Sequence, residues 1–301
     1  MIDPGQLAAL AAIHRRGSFE AAAAQLGVTP PAVSLRLKAL EERIGCLLIR
    51  RGSPAQATAT GLRLIRHFEE LSLLEAGLAR DLDLEGQGPV TLRLAVNADS
   101  LATWVIPALA EVEGVLFDLE IDDQSFSQDW LKRGDVAGAV TSHPGPLQGC
   151  ETEALGALRY VATASPAFVS RWFGAGVTVQ TLSRAPGITF SEKDRLQSDW
   201  VEQVTGQALA YRTHRLASSQ GFIDGALAGL GWGMNPEVLV RDHLRAGRLC
   251  ELIPGQALDV PLYWQYTRQA AGLLRPLTRA MRHAAAGCLL PLRSDTSGSP
   301  P

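Results

Sequence analysis

The apolar rhythm of this chain changes once, near residue 85, and that change sets its architecture. Before it, apolar residues recur at helical spacing; from Val90 onward, short β-rich runs alternate with helical ones. A stripe of period 3.6 and a face of period 2 bury against different partners, so an all-α head and an α/β body are expected. At 301 residues the chain is long enough for both. Charge divides at nearly the same place. The whole chain holds 28 Lys/Arg against 31 Asp/Glu, a net −3 that by itself argues against a nucleic-acid partner. Residues 1–66 hold nine Lys/Arg and four acids, a net +5, leaving −8 on residues 67–301. A basic head on an acidic body predicts two separate tasks.

In the head, Gln6–His14 is apolar at Leu7, Leu10, Ala11 and Ile13 and ends at Arg15-Arg16-Gly17. Ser18 is placed to cap a second helix, Phe19–Leu26, which Gly27 stops. Thr29 is placed to cap a third, with Pro30 and Pro31 in a first turn that tolerates a missing N–H. Val33, Leu37, Leu40 and Ile44 share one face of it. Two strand-like pieces, Leu47–Arg50 and Gln56–Thr58, flank the turn Arg51-Gly52-Ser53-Pro54. Two helices across a glycine turn, with a basic wing at Arg50-Arg51, predict a winged helix-turn-helix for double-stranded DNA. Without the wing and the charge, a plain amphipathic hairpin has the same periodicity.

A long helix then runs from Thr58 to about Leu84, with Ile65, Phe68, Leu71, Leu74 (or Leu73) and Leu78 as one apolar stripe. The same helix of a second chain is the simplest cover for it, which predicts a homodimer. Glu85–Pro89 reads as a hinge.

In the body, strands are expected at Val90–Val96, Leu116–Ile121, Val136–Val140, Tyr160–Ala164, Gly187–Phe190 and Gly231–Asn235, with helices at Ser100–Ala110 and around Gln128–Arg133. The alternation predicts a parallel sheet in two lobes. The competing class is an α/β enzyme with a helical appendage, but no G-x-S-x-G, P-loop, H-E-x-x-H or G-x-G-x-x-G follows a strand. A purely structural interaction protein would need neither a basic wing nor a cleft. The four cysteines are too far apart for a C-x-x-C pair and the six histidines form no i, i+4 pair, so no metal and no cofactor are expected. The chain lacks a signal pattern and an apolar run of about 20 residues, so no membrane partner and a cytoplasmic location are expected.

Gly17-Ser18-Phe19 with Ala22-Ala23, then Val28–Ser34, Leu40-Glu41, Gly45, Arg50 and Thr58…Gly61, resemble the N-terminal domain of LysR-type transcriptional regulators. Asn97–Trp104, Leu155–Tyr160, Ser218-Ser219 and Tyr263-Trp264 are similar to the ArgP/LysG branch of that family, and the resemblance spans about Leu7 to Ala285. It implies a winged helix-turn-helix (1–60), a dimerisation helix (61–85) and a periplasmic-binding-protein-like effector domain (86–294); the remaining tail (295–301) is Ser/Gly/Pro-rich and is expected to be disordered. Lobe one is read as 90–164 with 265–293, and lobe two as 165–264. It further implies activation of a basic amino acid exporter gene in response to lysine or arginine, homodimers or homotetramers, and RNA polymerase as a partner. A family member answering an unrelated small molecule is the alternative.

On the third helix Pro31, Ser34, Leu35, Lys38 and Glu42 point away from the buried stripe. The family commonly carries Gln at the position of Pro30 and Arg or Gln at that of Leu35, and Leu35 offers only apolar contact, such as with thymine methyls. The DNA-contacting set is Ser18, Thr29, Pro30, Pro31, Ser34, Leu35, Arg36, Lys38, Arg50 and Arg51. Base reading falls to Ser34, Arg36 and DNA shape, with Lys38, Arg50 and Arg51 on phosphates; read singly, Arg36 and Lys38 are equally a solvated helix face.

In the body, loops beyond the carboxyl ends of strands supply the effector set: Asp99, Ser100, Asp122, Asp123, Thr141, Ser142, Ser191, Ser218 and Ser219. Asp99, Asp122 and Asp123 suit an ammonium or guanidinium group. Ser100, at a helix start, with Thr141 and Ser142 opposite, suits an α-carboxylate. Asp122-Asp123 also fits an ordinary acidic loop, and Ser100 a simple cap. Glu192 and Asp194 are expected to pair with the adjacent Lys193 and Arg195.

Overall fold

The computed structural model describes residues 2–81, 90–123, 125 and 127–292. The chain divides into two compact units, Met1–Val90 and Thr91–Pro301. The hinge at Glu85–Pro89, the helix end near Leu84 and the tail 295–301 lie outside the described residues.

In the first unit, α1 (Pro4–Arg16), α2 (Phe19–Leu26) and α3 (Pro30–Ile44) precede a two-stranded wing, β1 (Ile49–Arg50) and β2 (Gln56–Ala57), and then α4 (Ala59–Asp81). Local chemistry places the helix ends. Asp3 accepts the Gln6 N–H at 2.9 Å, and Ser18 accepts the Ala21 N–H at 3.1 Å. Thr29 occupies the N-cap of α3 without a side-chain cap bond. Pro31 has no N–H to offer, and the Ala32 N–H is already taken by the Thr29 carbonyl at 3.0 Å. Leu7, Leu10, Ile13, Val33, Leu37, Leu40 and Leu48 form one fully enclosed core. Glu41 ties α3 to the wing by accepting the Leu48 and Ile49 N–H groups at 2.8 and 3.3 Å.

The α4 stripe divides. Ile65 is buried in the head's own core and Phe68 packs against it, whereas Leu71, Leu74 and Leu78 are exposed. Successive steps of three residues fall about 60° short of a full turn, so the stripe winds round the helix away from the core.

The second unit holds β3 (Val90–Val96, whose first residue closes the head unit), β4 (Val115–Ile121), β5 (Gly138–Thr141), β6 (Cys150–Ala164), β7 (Gly187–Thr189), β8 (Thr213–Arg215), β9 (Gly233–Pro236), β10 (Cys250–Glu251) and β11 (Ala257–Thr267). Seven strands form one sheet in the order β10-β6-β11-β5-β3-β4, with β9 also on β6, and β7-β8 form a second. The main sheet is mixed, not parallel as the alternation suggested. β3 and β5 run parallel, while β11 is antiparallel to both β5 and β6, and β6 is antiparallel to β9 and β10.

Strands β6 and β11 carry the chain through both lobes. Residues 150–154 face the part of β11 that pairs with β5, and residues 157–161 face its other part, with a register shift at Leu262/Tyr263. The strand passes from one of these stretches to the other near Gly156. Gly156 has φ +135°, and a Cβ there would meet the Leu290 carbonyl at 2.6 Å. Gly138 is demanded by a neighbour: a Cβ would come within 2.3 Å of the fully buried Trp264 ring, whose indole N–H donates to Thr278 at 3.0 Å.

Candidate functional site

The head presents α3 and the wing to solvent. Pro30, Pro31, Ser34, Leu35 and Lys38 are exposed, as are Thr29, Arg50 and Arg51, and Ser18 is half-buried. Leu35 is 68% exposed, an apolar side chain that the head's core does not use. Lys38 pairs with Glu42 at 3.7 Å, one turn on. The Arg51 guanidinium lies 5.8 Å from the Phe19 ring centroid, holding the wing's charge beside the start of α2. Arg36 differs from the others. It is half-buried, with its guanidinium carbon 4.0 Å from where a Cβ on Gly5 would stand, so it flanks α1 rather than sharing the face of Ser34 and Lys38. Ser18 spends its hydroxyl oxygen on the α2 cap.

In the second unit a narrow cleft opens where β3, β4 and β7 end. Asp99, Asp122 and Asp123 line it from the first lobe and Asp194 from the second. Phe190, Leu196, Phe222 and Met234 supply an apolar wall, and Asn97 and Asn235 supply amides. Asp99 lies in the helical stretch 98–110, which widens to a π-turn over Leu101–Val105. Its carboxylate accepts the Ser219 hydroxyl at 2.5 Å and the Tyr160 hydroxyl at 2.9 Å, so β6 and the helix that begins at Ser219 both hold it. Burial raises its pKa above the ordinary 3.8, opposed by these two hydrogen bonds and reinforced by the charges of Asp194 and Asp123. Burial, with the negative charge of Asp99, pushes the Tyr160 hydroxyl well above 10.0, so it remains a donor.

Asp194 was expected to pair with its neighbours and does not. It accepts the N–H groups of Phe190 at 2.8 Å and Leu196 at 3.0 Å, turning its carboxylate inward. Burial raises its pKa, the two backbone bonds oppose this, and Asp123 adds to it. Glu192 instead meets Arg215 at 2.7 Å, Arg195 meets Asp199 at 3.1 Å, and Lys193 reaches Asp122 at 3.7 Å.

The hydroxyl residues are placed differently from the carboxylates. Ser219 touches the cleft through Asp99. Ser100 is the third residue of its helix, behind an Asn97 N-cap, and is fully buried. Thr141 is buried in β5 and accepts the His143 N–H at 3.2 Å. Ser191 accepts the Lys193 N–H, and Ser218 caps the following helix by accepting the Gly221 N–H. The structure brings neither these four nor Ser142 to the cleft wall.

Residues 4–62 match the family described as bacterial regulatory helix-turn-helix protein, lysR family, and residues 86–287 match the LysR substrate binding domain. The chain belongs to the LysR family. The HTH-type transcriptional regulator ArgP of Pseudomonas fluorescens (strain Pf0-1) is 41% identical over 97% of this chain and all of its own length. A crystal structure of ArgP from Mycobacterium tuberculosis matches with a TM-score of 0.82 at 38% identity, over 97% of this chain and 100% of that one. Full-length LysG from Corynebacterium glutamicum with bound effector Arg matches with a TM-score of 0.69 at 35% identity, over 96% and 100%.

This LysR-type protein is accordingly a DNA-binding transcriptional regulator and not an enzyme. Among the described residues no helix is long and apolar enough to cross a membrane. Arg51→Ala is expected to weaken binding to every DNA sequence alike and to lower the salt slope of binding by about one unit, as loss of one phosphate contact does. Gel-shift titrations across salt concentrations measure this, and an unchanged slope removes Arg51 from the phosphate contacts.

Proposed function

We propose that this LysR-type regulator senses a free basic amino acid, arginine or lysine, and activates a gene for its export. The observation that carries the reading is the ring of four aspartates around one cleft, with an apolar wall between them. A long aliphatic stem lies on Phe190, Leu196 and Met234 while its cationic ends face Asp122, Asp123, Asp99 and Asp194. The arginine in the Corynebacterium glutamicum LysG structure supports the same ligand class. Occupancy biases the orientation of the two lobes, and through it the spacing of paired DNA-reading heads on a dyad-related site.

The working form on this reading is a cytoplasmic homodimer paired through α4, associating further into tetramers and acting on RNA polymerase. The DNA-contacting set is Pro31, Ser34, Leu35 and Lys38 on α3 with Arg50 and Arg51 on the wing. Arg36 contributes from the flank.

A thermal-shift series with the twenty amino acids tests the ligand. Arginine and lysine are expected to raise the melting temperature, by the equivalent of about 2.7 kcal/mol at a hundredfold excess over Kd. Stabilisation by an acidic or aromatic amino acid instead would overturn the effector assignment and leave the family intact.

A further inference from the structure

Strand β9 pairs with β6, with Val161 opposite Asn235 and Thr163 opposite Gly233, and its residues Met234, Asn235 and Pro236 line the cleft. Asparagine is depleted from strands, and a fully buried one is unfavourable unless its amide is paired. Here half of the amide is paired. Nδ2 donates to the Thr163 hydroxyl at 3.0 Å and to the Gly233 carbonyl at 3.4 Å. The Gly233 carbonyl decides which way the amide faces, because turning it over would set two carbonyl oxygens against each other. Oδ1 is the other half. It is buried, and among the described residues nothing donates to it. Folding thus leaves an acceptor of fixed orientation unsatisfied on a residue of the cleft wall, and a donor arriving there recovers what its burial costs.

Such an acceptor suits one end of a basic amino acid and not the other. At the α-carbon a carboxylate stands beside the ammonium, and an unpaired carbonyl oxygen repels that carboxylate. The lysine ammonium and the arginine guanidinium offer N–H donors with no anion next to them. We propose that Asn235 reads the side-chain cation of the effector, its Oδ1 accepting an N–H from the guanidinium or the ammonium. The inference rests on the cleft being the site for a basic amino acid. It gives Asn235 a selectivity that the four aspartates lack by themselves. Their charge draws any cation, whereas a fixed neutral acceptor demands a donor at one place. A side chain ending in a methyl group leaves Oδ1 buried and unpaired, and one ending in a carboxylate faces it with an anion.

A crystal structure of the full-length protein with arginine tests this directly. A guanidinium nitrogen is expected within about 3.2 Å of Oδ1. Arginine bound in the cleft with its α-amino group or a methylene against Oδ1, or with no contact to it, overturns the proposal. Calorimetric titration with arginine and with lysine gives the energetic counterpart, on the wild-type protein, Asn235→Leu and Asn235→Ser. Both variants are expected to bind about ten- to hundredfold more weakly, the span of one hydrogen bond to a charged group. The serine hydroxyl still meets the Gly233 carbonyl but is too short to bring an oxygen to the place of Oδ1. Wild-type affinity in Asn235→Ser therefore overturns the proposal, whatever leucine does, since the amide would then serve only the pairing of β6 with β9. Wild-type affinity in Asn235→Leu overturns it too. If the wild-type protein binds neither amino acid, or binds arginine elsewhere, the reading of the cleft itself fails, a result separate from all of these.

Discussion

A chain carrying Leu74→Glu together with Leu78→Glu is expected to sediment as a monomer and to lose most of its affinity for a dyad-related DNA site. Both leucines are more than half exposed on α4, one turn apart, on the part of the stripe that the head's core leaves uncovered. In a two-fold pair they become four buried side chains. At about 1.5–3 kcal/mol each, their burial supplies about 6–12 kcal/mol, and opposed glutamates add repulsion. Loss of pairing also removes the tethering of the second head to its half-site, which multiplies affinity by about 10²–10⁴. Glutamate is a good helix former and the replaced side chains are solvent-facing, so the head itself should keep its helical signal. Velocity sedimentation and gel shift together give the answer. A dimer of undiminished affinity would place the principal pairing surface in the effector domain.

The head was legible almost entirely in the sequence because its punctuation is local. Ser18, Gly27, Thr29 and the Pro30-Pro31 pair each mark a helix end within one or two residues of where it lies. The exception on Thr29 is also local: a cap needs a free N–H at the second or third position, and Pro31 removes one. The α4 stripe divides between the head's core and solvent for a geometric reason, since repeated steps of three drift round a helix while still looking periodic. In the body, strands followed by helices were readable, whereas β11 was missed altogether. Its Pro261 and polar residues argue against a strand, yet it sits between β5 and β6, with the proline next to the register shift at Leu262/Tyr263.

The same division runs through the cleft. Asp99, Asp122 and Asp123 were readable because each lies within three residues of a strand end, where chain direction alone delivers a side chain to the rim. Asp194, Phe222, Met234 and Asn235 reach it only because two lobes close on one another through β6 and β11, long-range pairings that no window of sequence contains. Asp194 did carry a signal. An aspartate two residues before a helix start satisfies backbone N–H groups, a local bond that competes with pairing to Lys193 or Arg195. The hydroxyls of Ser100 and Thr141 were assigned from their nearness to strand ends, but Ser100 is buried within its helix and Thr141 within the pleat of β5.

Asp123→Asn is expected to weaken arginine and lysine binding about ten- to hundredfold, the span of one charge-assisted hydrogen bond, with DNA binding in the absence of effector unchanged. The Asp122→Asn/Asp123→Asn pair should lose more. Calorimetry and gel shift measure the two properties separately, and wild-type lysine affinity in both single variants and the double would empty the cleft of its assigned role. Acidity gives an independent check with two opposite signs. Asp99 and Asp194 both have folded pKa values above the ordinary 3.8, each chiefly through burial. In the window between 3.8 and those raised values the folded protein holds more protons than the unfolded chain, so these groups' contribution to apo stability is complete below the window and is lost as pH rises through it. Cation binding needs their charged forms, so effector affinity must fall as pH drops through the same window. Melting temperature without effector, after subtraction of the same curve for Asp99→Asn, should therefore rise on acidification while arginine affinity declines. Affinity and apo stability moving together would mean that the buried aspartates do not face the bound cation.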